Sequence, residues 1–415
     1  MFQGIPLLAT LALALAVAAN PIVIRDSPVT LPIAKRFNFS GDKTLLERDQ
    51  ARAKGLRRSA EARFKGTFHE DPTSVDVIND GVTYVAVVGV GSPATLYNLL
   101  IDTGSSNTWA GANASHPYKT SSTTKPTGDS VEVIYGSGVF SGIENNDTVS
   151  LGNGLTVSNQ SIGAADPPPL TSGFNGVDGI LGLGPVGLTQ GTLAPHVNKL
   201  IPTVTDNLYY QGIIPQNVVA IFFQPTNSLS NPNGELTFGG TDPSKYTNDI
   251  TYTPVTNVSP ASAYWGIDQH IGYGGDTILN KTAGIVDTGT TLILIATDAY
   301  NTYKNMTGGQ PDSATGLLKI TPPQYAALKS LQFNVGGTTF ELTPNAQIFP
   351  RSLNTAIGGK ASDIYLIVAD IGSPSGSGLD FINGYTFLER FYSVFDTTNR
   401  RVGLATTSFT NATTN

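Results

Sequence analysis

Cysteine does not occur anywhere in the 415 residues. A disulfide framework, a thiol nucleophile and a Cys-based metal site are therefore excluded. Histidine is nearly as scarce: His69, His116, His196 and His270 show no ligand spacing, so no metal centre is expected. Charged residues make up only 13% of the chain and no basic patch is interleaved with aromatics, so nucleic acid is not an expected partner. The serine-hydrolase elbow G-x-S-x-G is missing as well; YGSGVFSG, beginning at Tyr135, does not match it. After residue 19 no apolar run is long enough to span a bilayer, and the polar tail TTSFTNATTN is unlike a lipid-anchor signal.

What is present points to a turn-rich β protein. With 45 Gly, 26 Pro and 40% hydrophobic residues, the chain can build two cores of ordinary size. VTYVAVVGVGSPATLYNLLIDTG, from Val82, reads as a hairpin broken at Gly91-Ser92-Pro93, and short strands recur through GELTFGG, LQFNVGGTTFELT and FYSVFDTTNRRVGLA. Helices are expected only in short pieces, near Ala296–Tyr303 and Gln324–Leu331. Strand-turn-strand spacing favours packed sheets over βαβ units. A boundary between halves is expected near Thr241–Thr253.

The ends differ from the body. Ile5 to Ala19 is an apolar run closing on small residues, which predicts a signal peptide over residues 1–19 and a secreted, extracellular product. Seven N-x-[ST] sequons after residue 70 fit a glycoprotein. Residues 20–70 carry 11 Lys and Arg against 6 Asp and Glu, a balance of +5; from residue 71 onward 13 face 25, a balance of −12. A basic segment ahead of an acidic body predicts a removable propeptide over residues 20–72. Its stretch Asp42 to Phe64 is helix-compatible, and its cations could lie over an acidic cleft. Lys35-Arg36 and Arg57-Arg58 are dibasic sites for a processing protease. A basic arm that binds polyanions is the alternative.

The most informative pattern is a tripeptide used twice. LLIDTGSSNTW carries Asp102 and GIVDTGTTLIL carries Asp287, each at the end of an apolar, strand-like run. DGILGLG follows the first copy and DFINGYTFL the second, so the duplication extends beyond the tripeptides. Two carboxylates in one cleft cannot both ionise freely, which makes one an acid and the other a base. Gly104 and Gly289 let backbone amides approach those carboxylates, and Ser105 and Thr290 can donate to their outer oxygens. Tyr135, followed by Gly136 and Gly138, reads as a hairpin tip able to close over a substrate. Trp109 fits either a partner for that hydroxyl or a core aromatic.

Together IDTGSSNTW, YGSG, DGILGLG and VDTGTTL resemble the pepsin-like aspartic proteases, over about residue 80 to the C-terminus. The resemblance implies an all-β, bilobal fold: an N-terminal lobe over 73–245, a C-terminal lobe over 246–415, and a cleft between them for an extended peptide. It further implies a monomeric endopeptidase needing no metal or cofactor, working at acid pH, made as a zymogen inhibited by its own propeptide, and blocked by pepstatin-type inhibitors. Asp102 and Asp287 become the catalytic pair. Thr103, Gly104, Ser105, Thr288, Gly289 and Thr290 become its support, with Tyr135, Gly136, Ser137 and Trp109 on the flap and substrate side. Asn383 departs from the family pattern, in which an apolar residue is usual. A catalytically dead relative and a two-carboxylate glycosidase are the other readings.

Overall fold

The computed structural model describes residues 27–37, 43–67, 82–136, 138–168, 170–174, 176–228 and 230–415. The signal-peptide expectation, the expected start of the N-terminal lobe and Ser137 lie outside the described residues. The fold is mostly strand, with few short helices.

The two halves repeat one arrangement. In the first, strand Thr95–Asp102 pairs in parallel with Gly179–Gly182, which also runs antiparallel to Trp109–Ala110. In the second, Asp276–Val286 pairs in parallel with Phe381–Asn383, itself antiparallel to Ile293–Ile295. Each Asp-Thr-Gly therefore leaves the end of a buried strand and turns across the strand contributed by the later glycine motif. Glycine is needed at those crossings. A Cβ on Gly182 would lie 2.5 Å from the Ser106 carbonyl carbon, and one on Gly384 would lie 2.7 Å from the Thr290 carbonyl oxygen.

One sheet joins the halves. Its middle runs Phe391–Asp396, Val218–Phe223, Ser230–Phe238, Val29–Phe37, Val82–Val90, Thr95–Asp102. The N-terminal arm thus supplies a central strand, which the charge pattern did not predict. In it Val29, Leu31 and Ile33 alternate into the core, and Lys35 follows the same alternation. Lys35 is 2% exposed, and its Nζ donates to Glu389 Oε1 at 2.6 Å, beside the Tyr84 hydroxyl at 2.9 Å from the same oxygen. In this state the dibasic pair Lys35-Arg36 is strand, and its lysine is buried.

The arm then forms a helix, Leu45–Lys65. Thr44 and Glu47 close a capping box at its start, and Gly66 ends it with φ 68°. Its buried residues, Leu45, Arg48, Asp49, Arg52, Ala53, Leu56 and Ala60, recur every three or four positions. The centre of that stripe is charged rather than apolar.

Elsewhere the short helix expected at Ala296–Tyr303 is Thr297–Thr307. The one expected over Gln324–Leu331 is only Pro322–Ala326, because Thr321 caps it with Gln324 and Leu331 already belongs to strand Leu331–Val335. Asn383 is fully buried and exchanges side-chain hydrogen bonds with the equally buried Gln269, at 2.9 and 3.2 Å. That reciprocal amide pair explains how a polar residue is tolerated in this buried strand.

Candidate active site

Asp102 and Asp287 are both fully buried and face each other across the junction of the halves. Asp102 accepts from the Gly104 amide at 2.9 Å on Oδ1 and from Ser105 Oγ at 2.6 Å on Oδ2. Asp287 accepts from the Gly289 amide at 3.1 Å and from Thr290 Oγ1 at 2.5 Å in the matching positions. A Cβ on Gly104 would sit 2.6 Å from Asp287 Oδ1, and one on Gly289 2.7 Å from Asp102 Oδ1. Both glycines are required by this close approach.

Thr103 and Thr288 hold the two loops together. The Thr103 amide donates to Thr288 Oγ1 and the Thr288 amide to Thr103 Oγ1, both at 3.0 Å. Each hydroxyl then donates across to the other half, Thr103 to the Val286 carbonyl at 3.3 Å and Thr288 to the Ile101 carbonyl at 2.9 Å. Every buried polar atom in this cross-link is satisfied, so the separation of the carboxylates is fixed by four hydrogen bonds.

Tyr135 ends strand Lys125–Tyr135, where it turns into Gly138–Gly152. Its hydroxyl accepts from Trp109 Nε1 at 3.0 Å. Burial, and then the charge of Asp102, push its pKa upward, so the phenol stays a neutral donor. Trp109 fills both roles left open by the sequence: besides that hydrogen bond it stacks on Phe140 at 4.3 Å and meets Phe174 edge-on. No counterpart of this hairpin tip faces Asp287 among the described residues.

The arm helix occupies the cleft. Arg52 lies between the carboxylates: Nε donates to Asp287 Oδ2 at 2.7 Å, and Nη2 to Asp102 Oδ1 at 2.5 Å and Asp287 Oδ1 at 2.9 Å. Gly136 rides directly over the helix; a Cβ there would run into the Ala51 carbonyl, while one on Gly55 would lie 2.5 Å from the Gly136 nitrogen. Two glycines, back to back, let helix and hairpin tip meet. Asp49, one turn before Arg52, accepts from the amides of Leu292 at 2.7 Å and Thr291 at 3.1 Å.

These surroundings make the two carboxyls unequal. Burial raises Asp102, and the Arg52 charge does not fully reverse it. Burial acts on Asp287 too and is the largest influence, but the charge and hydrogen bonds of Arg52, joined by those of Thr290 and the Gly289 amide, together outweigh it and hold Asp287 below the usual carboxylate range. Burial would lower Arg52 itself; the charges of Asp102 and Asp287 overcome that and keep it a firm cation. Asp49 is pushed up to about 7, chiefly by burial. Neither Arg52 nor Asp49 was singled out from the sequence. The available signal was their place on the 3–4 spacing of the buried helix stripe, ahead of a glycine inside the helix.

Three comparisons bear on the family. Residues 83–407 match the family model described as eukaryotic aspartyl protease. The chain is 66% identical to polyporopepsin of Irpex lacteus over 82% of its own length and 99% of the relative's. It is 30% identical to vacuolar protease A of Aspergillus fumigatus over 81% and 82%. The crystal structure of the aspartic proteinase from Irpex lacteus superimposes with a TM-score of 0.80 at 57% identity, covering 94% of this chain and all of that one.

Proposed function

The chain belongs to the eukaryotic aspartyl proteases and is an aspartic-type endopeptidase, and we propose that it is a secreted acid protease held inactive by its own N-terminal arm. In this reading Asp102 and Asp287 are the catalytic pair. The observation that carries it is Arg52, hydrogen-bonded to both carboxylates in the space where a nucleophilic water must act. The arm is the propeptide, 20–72, and the lobes are 73–245 and 246–415.

When the guanidinium withdraws, the buried pair shares one proton, since two adjacent carboxylates in a low-dielectric site resist double ionisation. The ionised carboxylate takes a proton from water as that water attacks the peptide carbonyl. The protonated one hydrogen-bonds the developing oxyanion and then supplies the proton to the leaving amine. Ser105 and Thr290 keep each outer oxygen occupied, so the inner oxygens face the substrate. Tyr135 closes over the extended peptide and excludes water. Asn113, Asn159, Asn257, Asn280, Asn305 and Asn411 are exposed and Asn146 is half-buried, which suits a glycosylated secreted product.

Acid favours release through Asp287. Against burial, the docked Arg52 gives the largest lowering of its pKa, so the docking it contributes is present above the ordinary carboxylate pKa and lost as pH falls through the depressed one. The test is a purified precursor brought from pH 7 to the acid range while peptide cleavage and chain mass are followed together. Activity should appear as the arm is lost, and a pepstatin-type inhibitor should abolish it. Full activity at pH 7 with the arm intact would refute the reading.

A further inference from the structure

Arg57 lies five residues beyond Arg52 on the arm helix, a rise of about 7.5 Å along its axis. Its Nη2 donates to Ser373 Oγ at 2.8 Å, to the Leu379 carbonyl at 3.1 Å and to Ser377 Oγ at 3.3 Å. All three acceptors belong to loop 371–379 of the second half, turned by Gly372, Gly376 and Gly378 at positive φ. Behind the loop stands Asp380, fully buried. It accepts from Ser377 Oγ at 2.9 Å, from the amides of Gly376 and Ser377 at 2.7 and 2.9 Å, and from Thr282 Oγ1 at 2.5 Å.

This arrangement sets the polarity of the seat. The Ser377 hydroxyl hydrogen is committed to Asp380, so its lone pairs are left for a donor from the cleft. The Leu379 carbonyl can only accept. The seat is therefore built for a donor, has a carboxylate at its back, and belongs to a body with a balance of −12 from residue 71 onward. The arm meets it with a single guanidinium nitrogen, and a cation carrying several N–H groups suits the seat better than a neutral side chain.

We propose that Ser373, Ser377 and the Leu379 carbonyl form a substrate subsite selecting arginine a few residues from the scissile bond, and that the arm fills it with Arg57. An extended peptide spans the separation from the carboxylates in about two to four residues, at about 3.3 Å each. The inference rests on the cleft reading given above and adds a preference to it.

The experiment gives the acid-activated enzyme otherwise identical peptides carrying Arg, citrulline, Ala or Glu at each of four positions on either side of the cleaved bond. At one position Arg should exceed the neutral, near-isosteric citrulline in kcat/KM by about fivefold or more, with Glu the poorest. Ser373→Ala/Ser377→Ala should bring that ratio close to one. Ser373→Ala alone, which leaves the Ser377–Asp380 bonds in place, should give an intermediate ratio. Equal cleavage of Arg and citrulline peptides at every position overturns the proposal, as does a ratio that the double variant leaves unchanged. An Ala peptide cut equally by Asp102→Asn would sink the carboxylate assignment instead, leaving the Arg ratio to judge the subsite.

Discussion

Replacing Arg52 with alanine removes the one group among the described residues that bonds both carboxylates. Three charge-assisted hydrogen bonds, at 2.5 to 2.9 Å, disappear together. Breaking a buried ion pair from one side costs about 3–5 kcal/mol, because the partner charge is left uncompensated. Here the cost falls toward the lower end, since the two carboxylates can share a proton. A loss of roughly 3–4 kcal/mol at 1.4 kcal/mol per tenfold raises the undocked fraction by roughly 10²–10³. The assay is the rate of peptide cleavage at about pH 5 during the lag, with the arm shown intact by mass. Wild-type precursor should be nearly silent there, and Arg52→Ala should show a clear initial rate. Arg52→Lys should fall between, keeping the charge but losing the fork. Lys54→Ala, two residues away and exposed, should match wild type. An Arg52→Ala precursor with an unchanged lag, or a Lys54→Ala precursor with an equal loss of lag, would refute the reasoning.

The remaining expectations use other groups. Asp49 titrates near 7 when docked, so the stability it adds is present below the ordinary carboxylate pKa and lost as pH rises through 7; Asp49→Asn should flatten the fall in precursor melting temperature between pH 6 and 8, and parallel curves would contradict this. Thr103→Val strands the Thr288 amide and the Val286 carbonyl, so unfolding stability should drop by about 2–4 kcal/mol and kcat with it, whereas Thr103→Ser should restore both. Lys35→Met leaves the Glu389 carboxylate buried without its cation; the precursor should lose about 3–5 kcal/mol, measured by denaturant unfolding at pH 7, while arm-free enzyme of the two genes should be indistinguishable.

The carboxylates were legible in the sequence because duplication is a pattern: two tripeptides, two hydroxyl followers and two later glycine motifs in the same order. The parallel strand pairing behind each Asp follows from that repeat. The cross-link by Thr103 and Thr288 was not legible, since a threonine in a turn carries no mark of a partner 185 residues away. The arm divided in the same way. Its charge and helical stretch could be read from composition, but that Val29–Phe37 is a central strand could not, because Lys35 finds Glu389 only in the folded sheet. Arg52 stood among eleven cations of residues 20–70, and only packing distinguishes the one that reaches both carboxylates.

In the proposed function Asp102 and Asp287 perform the chemistry as a pair. It is tested by Asp102→Asn and Asp287→Asn, each freed of its arm by immobilised wild-type enzyme that is then removed, and assayed on one peptide across the acid range. Each variant should lose about 10³-fold or more in kcat while keeping the wild-type melting temperature within a few degrees. Either variant retaining kcat within about tenfold of wild type would contradict the account, since removing a required acid–base partner costs about 10²–10⁴-fold.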